Sequence, residues 1–176
     1  MKHRSNPLRT LTYSSLCLAL CLVLPFLTGQ IPEIGGMLCP MHFPVFLCAF
    51  LCGPLWGAAV GITAPLLRHF LFHMPPLVTA IGMTFELAAY GLVAGLLYRH
   101  LPKKPLSLYT SLLSAMVLGR IVWGCAMAVI SGVTGTAFGW ELFLSGAVFS
   151  AVPGIVLQLV LVPVLVMALT RAKVAD

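Results

Sequence analysis

Apolar residues run along this chain in long blocks, each closed by a short cluster of glycine, proline or charged residues. Blocks of about 20 apolar residues are long enough to cross a bilayer as helices. The first block predicts a helix over 8–27, and residues 28–41 follow as an outer loop with Gln30, Pro32, Glu33, Gly35 and Gly36 as breakers. The next apolar stretch, 42–72, would be about 46 Å long as one helix, against a hydrocarbon core of roughly 30 Å. Gly53-Pro54 interrupts it, and proline disrupts a helix interior, so the stretch divides into a short helix over 42–52 and a second over 54–72. Further helices are expected over 77–98, 106–131 and 142–169. Pro75-Pro76, the basic loop 99–105 and the glycine-rich segment 132–141 separate them. The short second helix implies that part of 34–41 dips into the membrane as irregular backbone, which requires cover by protein or access to water.

The basic residues fix the orientation. Lys2, Arg4 and Arg9, then Arg99, Lys103 and Lys104, then Arg171 and Lys173 form three groups, and such groups favour the cytoplasmic face. A single span over 42–72 would put the middle group outside, which argues again for the split. The expected fold is an all-α membrane protein of six transmembrane helices with both termini cytoplasmic.

Composition agrees. The chain is 60% hydrophobic and 8% charged, with a mean hydropathy of +1.06, whereas soluble domains carry about 25% charged residues. Residues 1–176 are expected to form one integral membrane domain, with no room for a soluble ATPase or kinase domain. The net charge of +6 is not a nucleic-acid signal, because the basic groups cap helices where anionic lipid favours them. The basic start before the first block resembles a signal peptide, but no small-residue cleavage site follows it, so it reads as a retained first helix.

Away from the ends of the expected spans only Arg68, Glu86 and Arg120 are charged. A charge at the bilayer centre costs about 2.5–3.5 kcal/mol by insertion scales, so it faces a partner or a cavity. Glu86 and Arg120 fall near the middle of helices joined by a short loop, so antiparallel packing brings them within reach of each other. They read either as a packing ion pair or as a site in which Arg120 binds an anionic group and Glu86 holds it. Guanidinium suits a carboxylate because it offers two parallel donors. Arg68, near the outer interface, reads either as a snorkelling residue or as part of anion capture. Tyr90, one turn after Glu86, and Trp123, three residues after Arg120, either line the same cavity or pack.

His69 and His73 have a metal-compatible i, i+4 spacing, with His42 and Cys39 on the same outer side, but nothing shows convergence and no metal is assigned. None of the six cysteines (17, 21, 39, 48, 52, 125) forms a C-x-x-C pair; they read as small buried hydrophobes. No metalloprotease, serine-hydrolase or nucleotide-loop motif is present, and the sole aspartate is Asp176. An integral membrane enzyme using Glu86 and a histidine, and an assembly subunit without ligand, are the alternatives of another class.

Several stretches carry a family resemblance: Ser15–Ala19 in the first helix, Pro40-Met41-His42-Phe43-Pro44-Val45, Cys52-Gly53-Pro54-Leu55-Trp56-Gly57 with Gly61, Met74-Pro75-Pro76, Phe85-Glu86-Leu87-Ala88-Ala89-Tyr90-Gly91, and Gly119-Arg120. The chain resembles the substrate-binding S component of energy-coupling factor (ECF) vitamin transporters. The resemblance implies capture of a small-molecule vitamin outside a bacterial plasma membrane. It also implies docking on a transmembrane coupling subunit driven by two cytoplasmic ATPases, so that ATP is used by the partners and no cofactor is bound by this chain. Docking in that family uses an Ala-x-x-x-Ala motif on the first helix, matched here by Ser15 and Ala19. The binding cavity maps onto residues around 30–42 and 73–77, giving Arg120, Glu86, Arg68, Tyr90, Trp123 and His42 as candidate substrate contacts. The intramembrane arginines favour an anionic vitamin such as pantothenate. Folate, niacin, thiamine or pyrimidine precursors and a metal ion are the other candidates.

Overall fold

A computed structural model describes residues 7–27, 37–102, 104–135 and 152–172. Within them are six helices: α1 (Pro7–Leu27), α2 (His42–Cys52), α3 (Pro54–Phe72), α4 (Leu77–His100), α5 (Pro105–Thr134) and α6 (Val152–Arg171). Five of them, all but α2, are long and apolar enough to cross a membrane. The 11 residues of α2 reach only about 16 Å. Large apolar side chains such as Leu55, Phe70, Leu106 and Val133 are exposed on the bundle's outside. Exposed apolar surface on this scale suits lipid rather than water.

The break at Gly53-Pro54 is a reversal. Gly53 has φ 97°, a backbone conformation open to glycine and costly for residues with a Cβ. Its N–H caps α2 on the Ala49 carbonyl at 3.1 Å, while its own carbonyl accepts the first bond of α3 from Gly57. Gly57 then lies against Ala49, each four residues from Gly53 on either side of the turn, so closely that an added Cβ would stand 2.7 Å from the Ala49 Cβ. α2 also runs antiparallel to α1, because the Cys21 thiol meets the Met41 carbonyl at one end and the Cys52 thiol meets the Thr10 carbonyl at the other.

α3 and α4 approach through glycine. A Cβ on Gly61 would fall 2.5 Å from the Leu87 carbonyl oxygen, one on Gly91 2.3 Å from the Gly57 carbonyl carbon, and one on Gly95 2.6 Å from the Pro54 Cα. Lipid offers no hydrophobic drive for helix association, so such close backbone packing carries it. Tyr90, Phe46, Leu87, Leu108, Leu112 and Val162 are fully buried between the helices.

Several helix ends differ from the sequence expectation. α4 continues two residues past 98, where Arg99 and His100 complement the negative C-terminal dipole and His100 Nδ1 caps the Leu96 carbonyl at 2.8 Å. α5 runs through Gly132 to Thr134 and stops at Gly135, whose φ of 69° is the left-handed cap that ends helices. A single interior glycine costs a helix only about 1 kcal/mol, so Gly132 does not break it. Residues 28–36 of the expected outer loop over 28–41, 136–141 of the expected loop over 132–141 and 142–151 of the last expected helix lie outside the described residues.

Candidate functional site

The site is assembled from four parts of the chain: the segment 37–41, α2, α4 and α5. Segment 37–41 is not helical throughout; Cys39 takes a left-handed φ of 47°, uncommon for a residue with a Cβ. The turn lets the Cys39 carbonyl accept from the His42 N–H at 3.0 Å and from Gln158 Nε2 of α6 at 3.5 Å. Gly154, one turn before Gln158, makes room for this backbone, since a Cβ there would sit 2.5 Å from the Met37 carbonyl oxygen. α6 thus fixes the segment that leads into His42.

Glu86 on α4 is the centre. It is 1% exposed, and its Oε1 accepts the Tyr90 hydroxyl at 2.7 Å and pairs with Arg120 Nη1 of α5 at 3.0 Å. His42 Nε2 stands 3.6 Å from the same oxygen. The His42 ring lies 5.3 Å from the Tyr90 ring, centroid to centroid, and Phe46, one turn further along α2, stacks on Tyr90 at 5.0 Å. Gly119 is what admits the tyrosine: a Cβ there would overlap it, 2.0 Å from Cε1. A buried carboxylate is tolerable only when paired and hydrogen-bonded, and here Arg120 balances its charge while Tyr90 holds its geometry.

Arg120 is less enclosed than its partner, with 20% of its side chain accessible against 2% for Glu86. Its second terminal nitrogen, Nη2, faces the Cys39 thiol at 3.9 Å, a weak acceptor. One edge of the guanidinium is therefore occupied by a carboxylate and the other meets only sulfur. Trp123, the next turn of α5, lies against Gly82 of α4, where a Cβ would be 3.3 Å from its Nε1. Its ring sits one turn beyond the Glu86–Arg120 pair.

Arg68 is elsewhere. It is 3% exposed, and its Nη1 donates to the Leu22 carbonyl of α1 at 2.5 Å. Its guanidinium carbon lies 5.0 Å from the Phe26 ring centroid and 5.3 Å from that of Phe72. Those two rings meet edge to face at 4.9 Å. Arg68 ties α3 to the far end of α1, and the structure does not bring it to Glu86. His69 is likewise engaged, with Nδ1 2.8 Å from the Pro75 carbonyl, and among the described residues no group of three His, Cys, Asp or Glu is arranged to hold a metal ion.

Two residues at the site escaped the sequence reading. In the sequence Cys39 reads as a small buried hydrophobe, with a metal role unassigned, and Gln158 carries no reading. An amide inside the apolar run 152–169 was the signal for Gln158, because a polar group in lipid has to find a partner.

A family model described as ECF transporter, substrate-specific component matches residues 9–166. The chain belongs to that family. No curated protein and no solved structure matches it. As an S component it is a substrate-specific transport subunit of an ECF importer, a multi-pass protein of the bacterial cell membrane. The Glu86 cluster joins His42, Tyr90 and Arg120 around one carboxylate within the S component's described core.

Proposed function

We propose that this S component captures a small, water-soluble, carboxylate-bearing vitamin outside the cell, pantothenate being the first candidate, and that Arg120 is its anion contact. The observation that carries the reading is the unequal use of the Arg120 guanidinium. Glu86 takes Nη1, while Nη2 faces only a thiol in a side chain that keeps some accessibility. Buried charges are held by full sets of partners, and a carboxylate at Nη2 completes this one. Glu86, Tyr90 and His42 then act as the frame that aims the guanidinium. In this reading Arg68 is a packing residue.

The proposal includes six spans with both termini cytoplasmic and inward transport driven by ATP on two cytoplasmic partner subunits. Docking on the coupling subunit falls to α1. Ser15 and Ala19 are exposed there beside Leu11, Leu16 and Val23, while Ser14, Cys17 and Cys21 turn inward. Small exposed residues at four-residue spacing let another helix approach closely.

The test is calorimetry on the purified protein with a panel of pantothenate, folate, niacin and thiamine. Tight binding of pantothenate that is lost in Arg120→Ala and kept in Arg68→Met supports the reading. Tight binding of thiamine, a cation, that survives Arg120→Ala overturns it. Ala19→Leu should leave binding intact and block assembly with the coupling subunit.

A further inference from the structure

His42 holds the only buried side-chain nitrogens without a hydrogen-bond partner among the described residues. The residue is 4% exposed. It opens α2 directly after the left-handed turn at Cys39. One ring nitrogen, Nε2, has Glu86 Oε1 as its nearest charged neighbour at 3.6 Å, too long for a hydrogen bond but close enough to orient the ring. The other, Nδ1, has no hydrogen-bond partner. Leaving such a group unmet is costly, and natural structures do so where a ligand or ion belongs.

The groups around the ring orient it. Glu86 and Tyr90 face it from α4, and Arg120 comes in from α5 to the same carboxylate oxygen. Cys39 leads into it from the preceding turn. Nε2 is the ring nitrogen turned toward the Glu86 carboxylate oxygen, and the tautomer that suits this geometry carries its proton there and its lone pair on Nδ1. Nδ1 is then an acceptor.

Resting on the binding reading above, we infer that His42 is a specificity-determining residue whose Nδ1 accepts a hydrogen bond from a hydroxyl or amide N–H of the ligand. The ligand class narrows from carboxylates in general to carboxylates that also carry a donor. Pantothenate has hydroxyls and an amide N–H; niacin, a pyridine carboxylate, has none. A site built around a buried polar group rejects analogues that lack the matching group far more strongly than an apolar pocket rejects a change in size.

Two measurements test this. The first is nitrogen NMR of histidine-labelled protein in detergent without ligand, with His42→Gln used to assign the signal. An unprotonated Nδ1 and a protonated Nε2 are expected, and a proton on Nδ1 overturns the inference. The second compares two variants by calorimetry with pantothenate. His42→Asn keeps a polar atom at the Nδ1 position and loses the one facing Glu86; His42→Gln does the reverse. His42→Gln should weaken pantothenate about tenfold or more, the loss of one buried hydrogen bond, and His42→Asn should weaken it less. Equal affinity in wild type and His42→Gln, with Arg120→Ala still abolishing binding, overturns the role of His42 and leaves the binding reading standing. Tight binding of niacin by the wild type likewise sinks the donor requirement while keeping the anion contact.

Discussion

Arg68 and Arg120 are the same side chain in the same kind of place, an apolar helix inside a membrane protein, and the fold treats them in opposite ways. Arg68 is sealed. A backbone carbonyl takes one nitrogen and two phenylalanine rings cover its planar group. Cation–π contacts are worth about 2 kcal/mol when desolvated, so this arginine is held without any carboxylate. Arg120 is paired with an acid on one edge and left against sulfur on the other, and part of it stays accessible. The first arrangement spends the arginine on joining α3 to α1 and leaves it 3% exposed. The second keeps a partly accessible edge, and its acid is itself pinned by a tyrosine and flanked by a histidine with an unmet nitrogen. Charge inside the membrane is thus not in itself a mark of function; accessibility of that charge is the better guide.

The largest effect should come from removing one charge at each place. Truncating one member of a buried charged pair costs about 2–5 kcal/mol in binding, so Arg120→Ala should lower vitamin affinity by about 30-fold or more by calorimetry. Arg68→Met should keep affinity within about threefold and lower the thermal midpoint instead, since it loses only packing and one carbonyl bond. Matching affinity losses in the two variants would erase the distinction between them.

A smaller change sharpens the comparison by separating folding from binding. Replacing Glu86 and Arg120 together with leucine and methionine removes both buried charges, a swap that is often neutral or stabilising by about 1–4 kcal/mol. The double variant should therefore purify as a folded monodisperse protein with a thermal midpoint near that of the wild type, yet bind no vitamin. A double variant that binds normally would reduce the pair to a packing device, leaving it on the same footing as Arg68.

Gly119→Ala probes the frame rather than the charge. The new methyl would collide with the Tyr90 ring, and overpacking costs about 1–3 kcal/mol. Tyr90 has to move off Glu86, so affinity should fall by several-fold, and Gly119→Ala combined with Tyr90→Phe should be no worse than Gly119→Ala alone. Alanine at Gly132, where a Cβ meets open space, is the control: it should leave affinity unchanged and raise thermal stability slightly, since alanine favours a helix over glycine by about 1 kcal/mol.

How far these contrasts were legible follows from which signals are local. The split of 42–72 was legible because a Gly-Pro pair and an impossible length coincide in one stretch. The approach of Glu86 and Arg120 was legible because a short loop joins their helices and both lie at mid-helix. The fate of Arg68 was not, because its partners Leu22 and Phe26 lie on α1 and come close only through tertiary packing. The role of segment 37–41 was hidden for another reason: irregular backbone has no periodicity, so neither the turn at Cys39 nor its anchor on Gln158 leaves a pattern. Trp123 and Tyr90 look alike in the sequence, each within a turn of a charge, yet only the tyrosine hydroxyl reaches Glu86.

The smallest effect tests the open edge of Arg120 directly. Cys39 sits in the left-handed region, which costs a residue with a Cβ roughly 1–2 kcal/mol and costs glycine almost nothing. Cys39→Gly keeps the turn that carries His42 and the carbonyl that Gln158 holds, and deletes only the thiol facing Nη2. If the thiol is a mere placeholder for a ligand carboxylate, the variant should hold affinity within about threefold, because a thiol is a weak acceptor, and its thermal stability should not fall. A marked loss of affinity with unchanged stability would mean that sulfur positions the guanidinium. Arg120 would then be engaged on both edges, and its reading as the anion contact would rest on accessibility alone.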